Sequence, residues 1–410
     1  MRIVYVLATS TGGVGTHVRA LARDLAAAGH ELGIIGPART DEHFGFSTLP
    51  GVRFAALDMG TGLGPRDAAL VIRLRGLIRS FGPDIVHAHG FRAGLIALLA
   101  VRTSRHRPRL VVSLHNRASG QGMRGSVEVG IETLLAKGAD LTLGASTDLV
   151  ARARGLGAAD ARFLPAAAPE VYPVPAEAAR ATRASLAEEF GFGDEAVIVL
   201  AVGRVAPQKN YPMLIRALGH LGAAGHRGGA GHLGAAGRLG GAGHLDDSRT
   251  ADRRPPELVF LIAGAADEDV LAEVRAQYQD LAATSPVPAL HFLGPRDDIA
   301  ELNAAADLYI LTSVWEARAL VLQEALITGR AIIATSTGGT TELVGDAGIL
   351  IADDDDSALA AAIGELAADP PRREELAGRA RARGAQLPDE RDVGKELVSI
   401  YTELMPSQVG

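Results

Sequence analysis

Two cations and two carboxylates carry the strongest chemical signal in this chain. Arg204 and Lys209 flank a turn between a strand that ends at Val202 and a helix that begins near Pro212. Cations beside a helix N-terminus suit a diphosphate, because the helix dipole and its free N–H groups favour negative charge there. Lys209 is one of only three lysines, with Lys137 and Lys395, so composition alone does not put it in that turn. Glu316 and Glu324 are separated by seven residues. Glu316 is expected in a loop after a strand and Glu324 one turn into the following helix, both at the mouth of the sheet. Carboxylates in that position accept hydrogen bonds from the vicinal hydroxyls of a ribose or a hexose. Trp315, the single tryptophan, reads as a partly buried wall rather than a sugar-stacking platform.

The turn Gly12-Gly13-Val14-Gly15 follows a strand and opens a helix, so backbone N–H groups at Gly13 and Gly15 can cradle an anion. It is not a dinucleotide fingerprint. The third glycine position holds Val18, and the second strand ends in Gly36-Pro37 where an acidic residue would bind a ribose. His87 and His89 end one strand and His115 ends the next. These histidines have no local carboxylate partner, so a metal trio is not expected, and His115 is the strongest functional candidate of the three. Gly338-Gly339 with Glu342 forms a second glycine turn expected to line the same crevice. Asp353 to Asp356 imitates an Asp-x-Asp metal signature, but Asp356-Ser357 before Ala358-Leu359 reads as a helix N-cap with acids at the positive end of the dipole.

The elements that must hold these residues alternate. Apolar runs such as Ile3 to Ala8, Ala196 to Val202 and Leu258 to Ala263 mark strands buried on both faces, and helical patterns stand between them. This predicts an α/β chain of two Rossmann-like, doubly wound parallel sheets. The first covers 1–175, with a Pro- and Ala-rich linker near 165–179. The second covers 176–385, and a helix in 386–410 is expected to cross back to the first domain. From His220 a six-residue Gly/His repeat breaks the rhythm, and 219–256 is expected to be an expanded loop. His220, His226 and His232 recur every six residues without an interleaved carboxylate, which argues against a metal tract.

Composition sets the outer bounds. The chain has 410 residues, 49 of them Gly, a formal charge of −7, and 47% apolar and 22% charged residues. It has no Cys, which excludes thiol catalysis, Cys-zinc sites and iron–sulfur clusters. An acidic balance argues against nucleic acid as a partner. No segment reaches the ~18 apolar residues of a membrane span, and the expected compartment is the cytoplasm. Arg92, Arg102, Arg105, Arg107 and Arg109 leave open a peripheral contact with anionic lipid at the inner membrane face.

Arg204, Lys209-Asn210, Glu316 to Glu324, and Gly338-Gly339 with Glu342 together resemble the donor half of GT-B retaining glycosyltransferases of family 4. The resemblance covers the chain except roughly 219–256. It implies that Arg204 and Lys209 neutralise a departing diphosphate, that Glu324 holds the nucleotide ribose, and that Glu316 holds donor-sugar hydroxyls. It implies that backbone near Leu320 and Val321 meets sugar and phosphate, that Arg296 contacts the base, that Gly13 approaches the diphosphate from the other domain, and that His115 lies near the sugar. Such enzymes retain anomeric configuration and need neither metal nor cofactor beyond the nucleotide-diphosphate sugar itself. The acceptor is unassigned, and lipid-linked acceptors are among the candidates. The family reads Glu-Gly-Phe-Gly where this chain has Glu316-Ala317-Arg318-Ala319, which places Arg318 to add a donor or acceptor contact. The alternatives are a GT-B nucleotide-sugar epimerase and a non-catalytic nucleotide-sugar-binding protein.

Overall fold

A computed structural model describes residues 1–10, 12–60, 64, 67–105, 107–118, 122–227 and 256–405. The first domain runs β1 (Arg2–Leu7), α1 (Gly13–Ala27), β2 (Glu31–Gly36), α2 (Ala38–Phe44), β3 (Val52–Ala56), α3 (Asp67–Phe81) and β4 (Ile85–His89). It continues α4 (Gly90–Arg102), β5 (Arg109–Leu114), α5 (Gly122–Gly138), β6 (Leu141–Gly144), α6 (Thr147–Gly155) and β7 (Ala161–Phe163). The second runs α7 (Ala176–Phe190), β8 (Val197–Val202), α8 (Tyr211–Arg227), β9 (Leu258–Ala263), α9 (Glu268–Thr284), β10 (Ala289–Gly294) and α10 (Ile299–Ala305). Then come β11 (Leu308–Leu311), α11 (Leu320–Thr328), β12 (Ala331–Thr335), α12 (Thr340–Val344), β13 (Gly348–Ile351), α13 (Asp356–Ala368), α14 (Pro370–Gly384) and α15 (Glu390–Leu404).

The strands form two wholly parallel sheets, ordered β3-β2-β1-β4-β5-β6-β7 and β10-β9-β8-β11-β12-β13. Their apolar runs are explained by helices on both faces: every residue of β4, β8, β11 and β12 is buried. Each order reverses once, between β1 and β4 and between β8 and β11. At such a switch point the flanking crossovers leave to opposite faces, and a crevice opens beyond the carboxyl ends of the strands. The Gly13 turn and His89 stand at the first crevice. The Lys209 turn and the Glu316 loop stand at the second.

The last helix does not extend the second sheet. Val393, Leu397, Ile400 and Tyr401 of α15 pack in one cluster with Ile3, Tyr5 and Val18 of the first domain. The Ala168 N–H donates to the Pro388 carbonyl at 2.9 Å, tying the two strands of chain that pass between the domains.

Three expectations are corrected. Helix α7 begins inside the Pro/Ala-rich stretch, which read as linker because Leu186 is the only buried residue of that helix and the apolar periodicity is faint. Helix α8 does not stop at Leu218 but continues through the first hexad to Arg227. Glycine serves close approach there rather than flexibility: a Cβ at Gly222 would lie 2.0 Å from the Pro286 carbonyl oxygen, and one at Gly219 3.3 Å from Leu281. The rest of the repeat, with His232, lies outside the described residues. The cap of α13 is Asp355, whose carboxylate accepts from the Ala358 N–H at 2.9 Å, one residue before the expected Asp356. Asp356 instead meets Arg216 and His220.

Candidate active site

The loop after β8 is shaped by two glycines in conformations that L side chains avoid, Gly203 at φ 154° and Gly264 at φ 150°. A Cβ at Gly264 would lie 2.2 Å from the Gly203 carbonyl oxygen, and one at Gly203 would lie 2.8 Å from Lys209 Cε. The Lys209 side chain therefore folds back over a bare backbone. Its Nζ donates to Glu316 Oε1 at 2.7 Å, and Ser313 Oγ donates to the same oxygen at 2.9 Å. Three more bonds join the two loops. Thr312 Oγ1 donates to the Lys209 carbonyl at 2.7 Å, the Val314 N–H to the Gln208 carbonyl at 2.9 Å, and Gln208 Nε2 to the Trp315 carbonyl at 2.9 Å. Lys209 and Glu316, 107 residues apart in sequence, thus form one unit.

Glu324 sits in α11 with Oε2 buried and without a protein partner among the described residues. Burial pushes its carboxyl up to about 7. An unmatched acceptor of this kind is costly unless a ligand supplies the donor. Gly13 lies opposite: a Cβ there would be 3.2 Å from Leu320 Cδ1, so the first turns of α1 and α11 face each other across the cleft. Neither cap, Gly12 nor Ala319, bonds a free helix N–H through a side chain. Val321 follows Leu320 and is half-buried.

Other predicted residues stand apart from this unit. The Arg204 guanidinium is 63% exposed and pairs with Asp267 at 3.5 Å. Arg296, just past β10, is held by Asp298, with Nε to Oδ1 at 2.7 Å. Gly15 is a packing residue: its N–H donates to Ser10 Oγ at 3.1 Å, and a Cβ would lie 2.1 Å from the Phe44 ring. Arg318 is turned inward, buried at the side chain and 3.8 Å from Glu342. The sequence offered it as a donor or acceptor contact; its ion-pair partner among the described residues is Glu342. Gly338 and Gly339 pack tightly against the Trp315–Ala317 segment, where a Cβ at Gly338 would lie 2.2 Å from the Glu316 carbonyl oxygen and one at Gly339 1.8 Å from that of Ala317. They back the Glu316 loop, the Gly339 N–H donating to the Glu316 carbonyl at 2.8 Å.

On the first domain a cavity of about 190 Å³ is lined by Ser10, Val14, His89, Arg92, His115 and Asn116 among others. Arg92 at its rim is clamped by both oxygens of Asp67, at 2.7 and 2.6 Å. His115 stacks on His89 with ring centres 5.5 Å apart. Burial pulls the His115 ring down to about 4 and the His17 ring to about 3, and it holds His87 and His89 well below the usual range.

Sequence reading missed His17, Ser313 and Asp148. Trp315 is a wall, as expected, but of the other domain: it packs in the first domain's core, and its indole N–H donates to Asp148 Oδ2 at 3.0 Å. Nothing in the spacing of Ser146-Thr147-Asp148 marks that partner, because the contact spans 167 residues.

Residues 12–167 match a glycosyl transferase 4-like domain, and 245–369 match the glycosyl transferases group 1 domain. The chain is 26% identical over 318 residues to a D-inositol 3-phosphate glycosyltransferase of Stackebrandtia nassauensis, spanning 74% of this chain and 65% of that protein. It is 26% identical over 395 residues to a phosphatidyl-myo-inositol mannosyltransferase of Mycolicibacterium smegmatis, spanning 91% of this chain and 85% of that one. The fold matches Anabaena HepE, solved in complex with UDP-glucose, at TM-score 0.74 and 19% identity over 98% of this chain and 100% of that one. It matches a Thermosynechococcus elongatus sucrose-phosphate synthase at TM-score 0.75 and 20% identity, covering 98% and 99%. The architecture is thus GT-B, as the sequence suggested.

Proposed function

The chain belongs to the group 1 glycosyltransferases, and from that premise we propose a retaining, metal-independent transfer of a sugar from a nucleotide diphosphate donor to a hydroxyl acceptor. The observation that carries this reading is the Lys209–Glu316 unit beside the first turn of α11, with the first turn of α1 opposite. Leaving-group charge is the main problem in glycosyl transfer. A cation and two helix N-termini aimed at one place stabilise a departing diphosphate without reorganisation. Lys209 serves that role. Arg204 joins it from its weak surface pair with Asp267, which costs little to break.

Glu324 accepts from the nucleotide ribose and thereby supplies its buried oxygen with a donor. Glu316 accepts from donor-sugar hydroxyls through the oxygen that Lys209 and Ser313 leave free. Arg296 lies toward the base, with Gly13, Leu320 and Val321 around the diphosphate and sugar. His115 and its cavity take the acceptor side. The relatives named for inositol phosphate and phosphatidylinositol chemistry make a polyol, free or lipid-linked, the first acceptor class to test.

The experiment is a thermal-shift panel of nucleotide sugars, where a ligand at 100 times its Kd adds about 2.7 kcal/mol. Incubation of the stabilising donor with a polyol and glycolipid panel follows, and the anomer of the product is read by NMR. An α-donor should give an α-product. An inverted product overturns the retaining reading, conversion of donor alone makes the chain an epimerase, and binding without turnover makes it a binding protein.

A further inference from the structure

We propose that His89 is a positioning residue that fixes His115 as its Nδ1–H tautomer, so that His115 can donate a hydrogen bond in the cavity but cannot take a proton there. The proposal rests on the reading that this cavity is the acceptor side of a transferase.

His89 ends β4, and its ring lies between two others. His87 stacks on it at 4.2 Å and His115 at 5.5 Å, while His17 stands edge-on to both His89 and His115 at 6.3 and 5.8 Å. His87 is anchored at both nitrogens, Nδ1 to the Tyr401 hydroxyl at 2.5 Å and Nε2 to Ser113 Oγ at 2.7 Å. The column is therefore fixed from below by the terminal helix.

His89 Nδ1 and His115 Nε2 are 3.2 Å apart. Burial keeps both rings neutral, so each carries one N–H, and in this pair one nitrogen donates and the other accepts. The other nitrogen of His89 decides which. His89 Nε2 is buried with no partner among the described residues. A proton there would be an orphaned buried N–H, the rarer and costlier kind of unsatisfied group. The proton therefore sits on His89 Nδ1 and is donated to His115 Nε2. The His115 proton is then on Nδ1, because the hydrogen bond at one imidazole nitrogen sets the state of the other.

The chemical consequence is specific. The only lone pair of neutral His115 is occupied by His89, so the ring cannot act as general base toward an acceptor hydroxyl. It can donate to an oxygen of the sugar or acceptor.

The test uses the full chain labelled with 15N-histidine, with His115 resonances assigned by their loss in His115→Phe. Long-range 1H–15N correlation should show His115 protonated at Nδ1 and bare at Nε2. In His89→Asn, whose amide nitrogen falls near the ring Nδ1 position, that pattern should persist. In His89→Leu it should move toward Nε2–H. Hydrolysis of UDP-glucose should lose roughly 10–100-fold in kcat in His89→Leu with little change in KM, and recover in His89→Asn. A wild-type His115 protonated at Nε2 overturns the proposal, as does an unchanged tautomer in folded His89→Leu. If the Leu variant does not fold, the wild-type spectrum decides. Absence of any UDP-glucose hydrolysis counts against the transferase reading with this donor and leaves the tautomer measurement standing.

Discussion

Lys209 Nζ lies 2.7 Å from Glu316 Oε1, across a gap of 107 residues, with both side chains largely withdrawn from water. The pair is a preorganised charge and not a surface ornament: Lys209 is held over Gly203, and Glu316 is held from behind by the Gly339 N–H. Lys209→Ala should lower turnover by roughly 10²–10³, the range for deleting one donor to a developing anion. The circular dichroism spectrum should be unchanged. Unaltered steady-state kinetics would remove Lys209 from the diphosphate site.

Glu324 gives a pH signature. Its carboxyl is raised from 4.5 to about 7 in the fold, so the folded chain holds a proton that the unfolded chain has released between those values. Its contribution to stability is intact below pH 4.5 and is lost as pH rises toward 7. Glu324→Gln keeps the neutral shape, so it should raise stability at pH 8, by about 2–3 kcal/mol at most, and leave it near wild type at pH 4. Urea unfolding at the two pH values measures this. Nucleotide-sugar binding should weaken in the same variant, because the amide accepts less strongly than a carboxylate.

The histidine column gives the opposite slope. His17, His87, His89 and His115 stay neutral in the fold, so below pH 6.5 the unfolded chain takes up protons the folded chain refuses. Stability should fall as pH drops from 7 to 5, by about 1.4 kcal/mol per pH unit for each ring once the unfolded chain is fully charged. His17→Phe should reduce the slope of unfolding free energy against pH by about one proton near pH 5.

Gly13 offers a steric test that spares the fold. Its face is open to the cleft except toward Leu320, where a Cβ would sit at 3.2 Å. Gly13→Val should press on that contact and obstruct the approach of a diphosphate to the α1 turn. UDP-glucose affinity by calorimetry should drop about tenfold, a change of about 1.4 kcal/mol, with the unfolding midpoint nearly unchanged. Equal affinity would show that the α1 turn does not meet the donor.

The fold was legible where burial is two-sided. Strands such as β8 and β12 announce themselves because a parallel strand covered on both faces must be apolar throughout. Lys209 and Glu316 stand in the loops that follow β8 and β11, and Glu324 lies within α11, which are the places their spacing predicted. What stayed hidden depends on the partner across the gap. A run rich in glycine reads as a helix breaker, yet at Gly222 it lets a helix touch the Pro286 carbonyl. Gly15 and Gly13 look alike in sequence, and only the position of Phe44 separates a packing glycine from a cleft glycine. Arg204 and Arg318 are indistinguishable as cations in a motif. One pairs with Asp267 at the surface and the other is buried beside Glu342.

Trp315 ties these pieces together mechanically. It belongs by sequence to the loop that carries Glu316, and by packing to the core of the other domain, where Ala317 joins it. A hinge opening of the cleft has two courses. It can extract the indole and break its bond to Asp148, or it can drag the Glu316 loop away from β11 and strip Lys209 of its partner. The indole–Asp148 bond and the Lys209–Glu316 pair are therefore linked through one loop. A variant that loosens the indole should disturb the Lys209–Glu316 pair without altering either residue.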